Sequence, residues 1–196
     1  MRKFLATMAV LAIPAMGVSS AAHAEPHEYE LDPAHTSIGF LVGHVGYDKV
    51  LGMFLESSGS FTYDEETQTL SDVKITIESE SVFTNHEKRD QHLRSPDFLN
   101  AREFPEMTFT VTKAEKISDT AGKVYGELEL IGLKKPIVLD VTLNKAAEYP
   151  FNDSYAIGIS ARGSFKRSEY GMMYGVDNGW VGDDVELIIE FEAVRQ

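Results

Sequence analysis

The chain predicts an all-β, antiparallel domain, and three observations carry that reading. Apolar and polar residues alternate with period two along most of its length, helical periodicity is nearly absent, and the turn signals between alternating runs are short. Because a strand sends successive side chains to opposite faces, each run has one apolar and one largely polar face. One-sided strands must fold their apolar faces together, as a sandwich or as a barrel, and alternation alone does not choose between the two.

Met1–Ala24 reads as a cleaved secretory signal. Arg2 and Lys3 supply the basic start, Phe4 to Val18 the apolar centre, and Ala22-His23-Ala24 a small-x-small cleavage site. The apolar run is shorter than the roughly 20 residues that cross a bilayer, and it contains Pro14, so a membrane anchor is disfavoured. The mature chain would begin at Glu25, and residues 25–196 would form one domain.

The strands follow in order. Ile38, Phe40 and Val42 share a face with His44. In Val50–Tyr63 the pattern drifts, which predicts a bulge around Gly52 or Gly59. Val73, Ile75 and Ile77 alternate with Lys74 and Thr76. Thr84 to Phe109 is a polar connection much longer than a hairpin link, and such loops are usually functional or contain structure of their own. Thr84 or Asn85 is placed to cap a short helix over His86 to Leu93, with the pairs His86/Asp90 and Asp90/Arg94 at i,i+4; Pro96 and Pro105 return the chain to extended structure. Met107, Phe109 and Val111 then alternate with threonines. Val124, Leu128 and Leu130 share a face with Gly126; Ile137, Leu139, Val141 and Leu143 form the next run. Tyr155, Ile157, Ile159, Ala161 and Phe165 follow, and Val185, Leu187, Ile189 and Phe191 close the set, eight strands in all.

Composition excludes several functions. The formal charge of the whole chain is −13; the first 24 residues hold two of its basic and none of its acidic side chains, so residues 25–196 carry −15. Such a surface repels nucleic acid and anionic head groups, and no stable membrane insertion is expected. The absence of cysteine removes thiol catalysis, disulfides and Cys-zinc sites. There is no nucleophile elbow, phosphate loop, dinucleotide fingerprint or H-E-x-x-H. His86 and His92 lie six apart and His35 and His44 nine apart, spacings that do not suit a metal, so none is expected. The adjacent acids Glu65/Glu66 and Asp183/Asp184 read as solvated turn residues.

The order R-D-x-H-L-x-S-x-D-F over Arg89–Phe98, followed by F-P-x-x-x-F over Phe104–Phe109, resembles the signature of the YceI family, bacterial periplasmic proteins that bind polyisoprenoids and related lipids. Leu31-Asp32 with His35–Phe40, His44-Val45-Gly46, Gly52-Met53-Phe54, Gly126-Glu127-Leu128, Gly132–Pro136 and Arg167–Gly171 are similar to the family in order and spacing. The resemblance implies an eight-stranded antiparallel lipocalin-like barrel with one short helix, secreted to the periplasm, with a long-chain lipid in its lumen. That cargo would be a polyisoprenoid, a quinone precursor or a fatty-acid derivative, held for transport or storage without catalysis or any other cofactor. On that reading Phe40, Val42, Phe54, Phe109, Ile159 and Phe165 wall the lumen, while His44 and Arg89 offer polar partners to a head group. Two rivals stand: an enzyme with a polar constellation of His44, Arg89 and Asp90 at the mouth, and a stress or interaction protein with a dry, packed core. Met173–Trp180 is the stretch least similar to the family and is read as a mobile flap, a homodimer contact or a loop.

Overall fold

The computed structural model describes residues 25–196. The signal reading, Met1–Ala24, lies outside the described residues. Among the described residues the order is β1 (His27–His44), β2 (Asp48–Phe54), β3 (Ser57–Asp64), β4 (Thr69–Glu78), β5 (Val82–Phe83), α1 (Glu87–Arg94), β6 (Glu106–Lys116), β7 (Ala121–Leu130), β8 (Leu133–Glu148), β9 (Tyr155–Lys166) and β10 (Val181–Arg195).

These strands close into an eight-stranded antiparallel barrel. The wall runs β1, β3, β4, β6, β7, β8, β9, β10 and back to β1, where Tyr29 pairs with Arg195 and Val42 with Val185. β2 and β3 are two halves of one course along β1: β3 pairs with its first residues and β2 with its second half, from Ile38↔Phe54 to His44↔Asp48. β5 continues the β4 course in the same way and pairs with Met53 and Phe54. Closure leaves no long free edge, which answers the aggregation hazard of one-sided strands.

The expected bulge at Gly52 or Gly59 is not where the irregularity falls. Both glycines sit in regular ladder pairs, Phe40↔Gly52 and Gly59↔Ile75. The course breaks instead at Leu55 and Glu56, between β2 and β3, and β4 bulges where Asp72 takes φ +52°. Gly52 is needed for space: a Cβ there would lie 2.2 Å from Cζ of Phe40. A longer irregularity inserts Asp32–His35 into β1 opposite Glu192 of β10.

Antiparallel order gives the barrel two different ends. At the helix end lie the β1–β2 turn, the Thr84–Pro105 connection with α1, and the Arg167–Trp180 connection. At the turn end lie the tight links β3–β4, β6–β7 and β8–β9. The buried side chains form three packed groups, one around Tyr29, Leu31, Phe61 and Ile157, another around Ile38, Met107, Leu128 and Tyr170, and the last around Phe40, Val82 and Val185. Among the described residues no helix is long and apolar enough to cross a membrane.

Candidate functional site

The apolar strand faces meet around a cavity of about 490 Å³. Its lining extends from His44, Arg89, His92 and Tyr174 at the helix end to Gln68, Ser118 and Thr120 at the turn end, so it runs the length of the barrel. Protein interiors are close-packed, with few voids larger than a water molecule, whereas small-molecule sites occupy about 300–1,000 Å³. The space is therefore of ligand size. Part of its shape comes from glycine: a Cβ at Gly126 would lie 2.5 Å from the Phe109 ring and 2.4 Å from the Thr110 carbonyl oxygen.

All eight residues singled out in the sequence line this cavity. Phe40, Val42 and His44 come from β1, Phe54 from β2, Arg89 from α1, Phe109 from β6, and Ile159 and Phe165 from β9. His44 belongs to the mouth rather than to the lumen: its side chain is 57% exposed and its Nδ1 lies 3.8 Å from Asp48.

The helix end is built around Thr84. This buried residue donates its backbone N–H to Asp90 Oδ1 at 2.8 Å and its hydroxyl to the same oxygen. In turn Thr84 Oγ1 accepts from Arg89 Nε at 2.7 Å, and the Thr84 carbonyl accepts from Arg89 Nη2 at 2.7 Å. Arg89 and Asp90 thus converge on Thr84 instead of pairing with each other. The i,i+4 pairs expected on the helix are replaced likewise: Arg94 donates to the carbonyls of Glu80 (2.7 Å) and Val82 (2.8 Å), tying α1 to the end of the β4 course. The cap also differs from expectation. His86 occupies it, its Nδ1 accepting from the Arg89 N–H at 3.3 Å, because Thr84 is already engaged by Asp90.

Sequence reasoning missed three further features of this end. His92, Phe98 and Tyr174 form an aromatic trio, edge-to-face at His92 and tilted between Phe98 and Tyr174, with ring centroids 4.7 to 5.4 Å apart, joining the α1 connection to the Met173–Trp180 segment. His92 is oriented by Asp97 at 2.8 Å. Arg167, buried and lining the cavity, donates to the carbonyls of Gly182, Met172, Tyr174 and Val181 at 2.6 to 2.9 Å, so it is the clamp that shapes that segment. Burial pushes its pKa below the ordinary guanidinium value, with the Asp183 charge opposing. Local sequence gives no sign of the clamp beyond a cation in the Arg167–Gly171 stretch.

At the turn end Glu65 is no solvated turn acid. It accepts from the hydroxyls of Tyr29 and Tyr155, both at 2.7 Å, and from Arg195 at 2.8 Å. Burial pulls its pKa up, but the hydrogen bonds from Tyr155 and Tyr29 and the Arg195 charge together hold the carboxyl below its usual value. Asp183 likewise accepts from the Ser168 N–H at 2.9 Å and its hydroxyl at 3.0 Å. On the outer wall, the β1 insertion brings Asp32, His35 and Glu192 together, with His35 Nδ1 at 2.6 Å from Asp32 and 3.8 Å from Glu192. The Asp32 hydrogen bond raises the His35 pKa.

Comparison with known proteins agrees with this architecture. A profile of the YceI-like domain matches residues 29–193. Protein YceI of Salmonella arizonae is 37% identical over 171 residues, which cover 86% of this chain and 87% of that one. The crystal structure of the Campylobacter jejuni YceI protein superposes with a TM-score of 0.72 at 34% identity, covering 79% of this chain and 90% of that one. A polyisoprenoid binding domain from Saccharophagus degradans shares the fold, with a TM-score of 0.62 at 16% identity and coverage of 86% and 98%. The chain belongs to the YceI-like domain family.

Proposed function

We propose that this protein binds a long, slender, apolar molecule in its barrel lumen and carries or stores it in the periplasm after cleavage behind Ala24. The observation that supports the reading is the cavity itself: about 490 Å³, walled by the apolar faces of all eight strand courses. A dry-core protein would fill that space with side chains. The fold it shares with a domain described as polyisoprenoid binding points the same way, and a polyisoprenoid, quinone precursor or fatty-acid derivative fits the walls. Binding rather than turnover suits a site whose polar groups are spent on structure, as Asp90, Asp97 and Arg167 are.

The physical driving force is desolvation. Burying some 12 methylenes contributes on the order of 10 kcal/mol gross, and association costs of about 4–15 kcal/mol offset much of it. Short chains therefore bind poorly and long ones usefully. A series of n-alkyl ligands titrated into delipidated protein tests this. Affinity should rise about fourfold per methylene, from about 0.8 kcal/mol each, until the cavity is filled, and then level. Affinity independent of chain length would overturn the proposal.

A further inference from the structure

We propose that the cavity is polarised and takes a long-chain carboxylic acid, its carboxylate at the helix end against Arg89 and its tail toward the turn end. This rests on the carrier reading above and adds the head-group class and its orientation.

The charges that line the cavity are divided between its ends. At the helix end the lining holds Arg89 and Arg167 with His44 and His92, and no carboxylate. At the turn end it holds Glu115, Asp119, Lys116 and Lys123. Those four are already neutralised by partners: Glu115 by Lys113 at 3.3 Å, Asp119 by Lys116 at 2.9 Å, and Lys123 by Asp140. The carboxylates behind the helix end are also committed. Asp90 accepts from Thr84, Asp97 lies against His92, Asp183 accepts from Ser168, and Asp48 stands 3.8 Å from His44. The charged side chains of the wall itself at the helix end are thus the two arginines, with the Asp90 and Asp183 carboxylates set behind it.

The two arginines have different parts in this. Arg167 has spent its guanidinium on four carbonyls, so it supplies field and no bond to a ligand. Arg89 is held through Nε and Nη2 on Thr84, which fixes the plane of its guanidinium, and among the described residues Nη1 has no protein acceptor. An oriented guanidinium on a residue of the cavity lining suits a carboxylate, which it meets with short charge-assisted hydrogen bonds. The net charge of residues 25–196 disfavours a more highly charged head such as a phosphate, so a monoanion is the better match. Arg89 is exposed, and solvent screening keeps the expected preference modest.

The test uses the processed, delipidated protein and displacement of an apolar fluorescent probe by hexadecanoic acid, hexadecanol and hexadecylamine. The acid should win over the alcohol by about tenfold, the effect of one charged hydrogen bond, and the amine should bind worst. Arg89→Gln should remove most of the acid's advantage. Should that variant fold poorly, the wild-type protein still decides: the acid's advantage should vanish as the pH falls through the range where a carboxyl takes up its proton. Equal binding of acid and alcohol, preference for the amine, an acid preference retained in folded Arg89→Gln protein, or an acid preference indifferent to pH would overturn the head-group inference while leaving the carrier reading in place. Failure of all three chains to displace the probe would instead overturn the carrier reading itself.

Discussion

Replacing Ile159 with tryptophan separates an open lumen from a packed core. Ile159 faces the cavity from β9, paired with Leu143 of β8 on one side and Phe191 of β10 on the other. If the space around it is open, an indole enters without displacing protein atoms, and stability is retained. If side chains already fill that space, overpacking costs about 1–3 kcal/mol; for a domain of this size, that lowers the melting temperature by roughly 2–12 °C. The ligand side has its own magnitude. An indole excluding three or four methylenes of cargo removes about 3 kcal/mol of binding, or roughly 100-fold in Kd. Thermal melting and probe binding are measured on the same preparations. The expected result is a near-native melting temperature with strongly weakened binding. A large loss of stability with binding intact would refute the reasoning, because the cavity would then not be where the ligand lies.

Three other perturbations follow from the ends of the barrel. Arg167→Met strands the carbonyls of Met172, Tyr174, Val181 and Gly182, at about 1 kcal/mol each; a fall of roughly 10 °C in Tm, with faster amide exchange at Met172 and Val181, is expected. Thr84→Val leaves the buried Asp90 carboxylate without its hydroxyl donor and takes from Arg89 Nε its acceptor while the carbonyl still holds Nη2, costing about 1–3 kcal/mol, which urea denaturation will read as a lower midpoint. On the alkaline side, burial and the hydrogen bond to Glu65 push Tyr29 up to about 12. A pKa raised on folding contributes stability that is complete below the unfolded value near 10 and is lost as pH climbs through about 12, here some 2–3 kcal/mol. Tyr170, also pushed up to about 12 by burial, acts in the same sense. Tyr29→Phe should flatten part of that loss, and an unchanged alkaline unfolding curve would contradict the role given to Tyr29.

The wall of the barrel was legible because strand periodicity is a local property: Ile75, Phe109, Leu139 and Ile189 each sit two residues from a neighbour on the same face, and all four line the cavity. The choice of barrel over sandwich was not local. It depends on β1 meeting β10 across most of the chain, and only the family resemblance carried it. The helix was placed within a residue, yet its cap was misassigned, since the choice between Thr84 and His86 turns on Asp90 taking Thr84 first. Glu65 read as a turn acid for the same reason: its partners Tyr155 and Arg195 lie 90 and 130 residues away. Arg167 and Tyr174 escaped notice because a clamp on carbonyls and a ring on a neighbouring loop leave no periodic trace. The hydrophobic alternation that located Phe40, Phe109 and Ile159 carries no information about such polar fastenings.

Solvent extraction of the purified protein, followed by mass spectrometry of the extract, bears most directly on the central claim. The expected result is a long-chain molecule at near one per chain, depleted in Ile159→Trp protein prepared in parallel. A folded protein that yields no long-chain molecule above the level of a blank extract would contradict it.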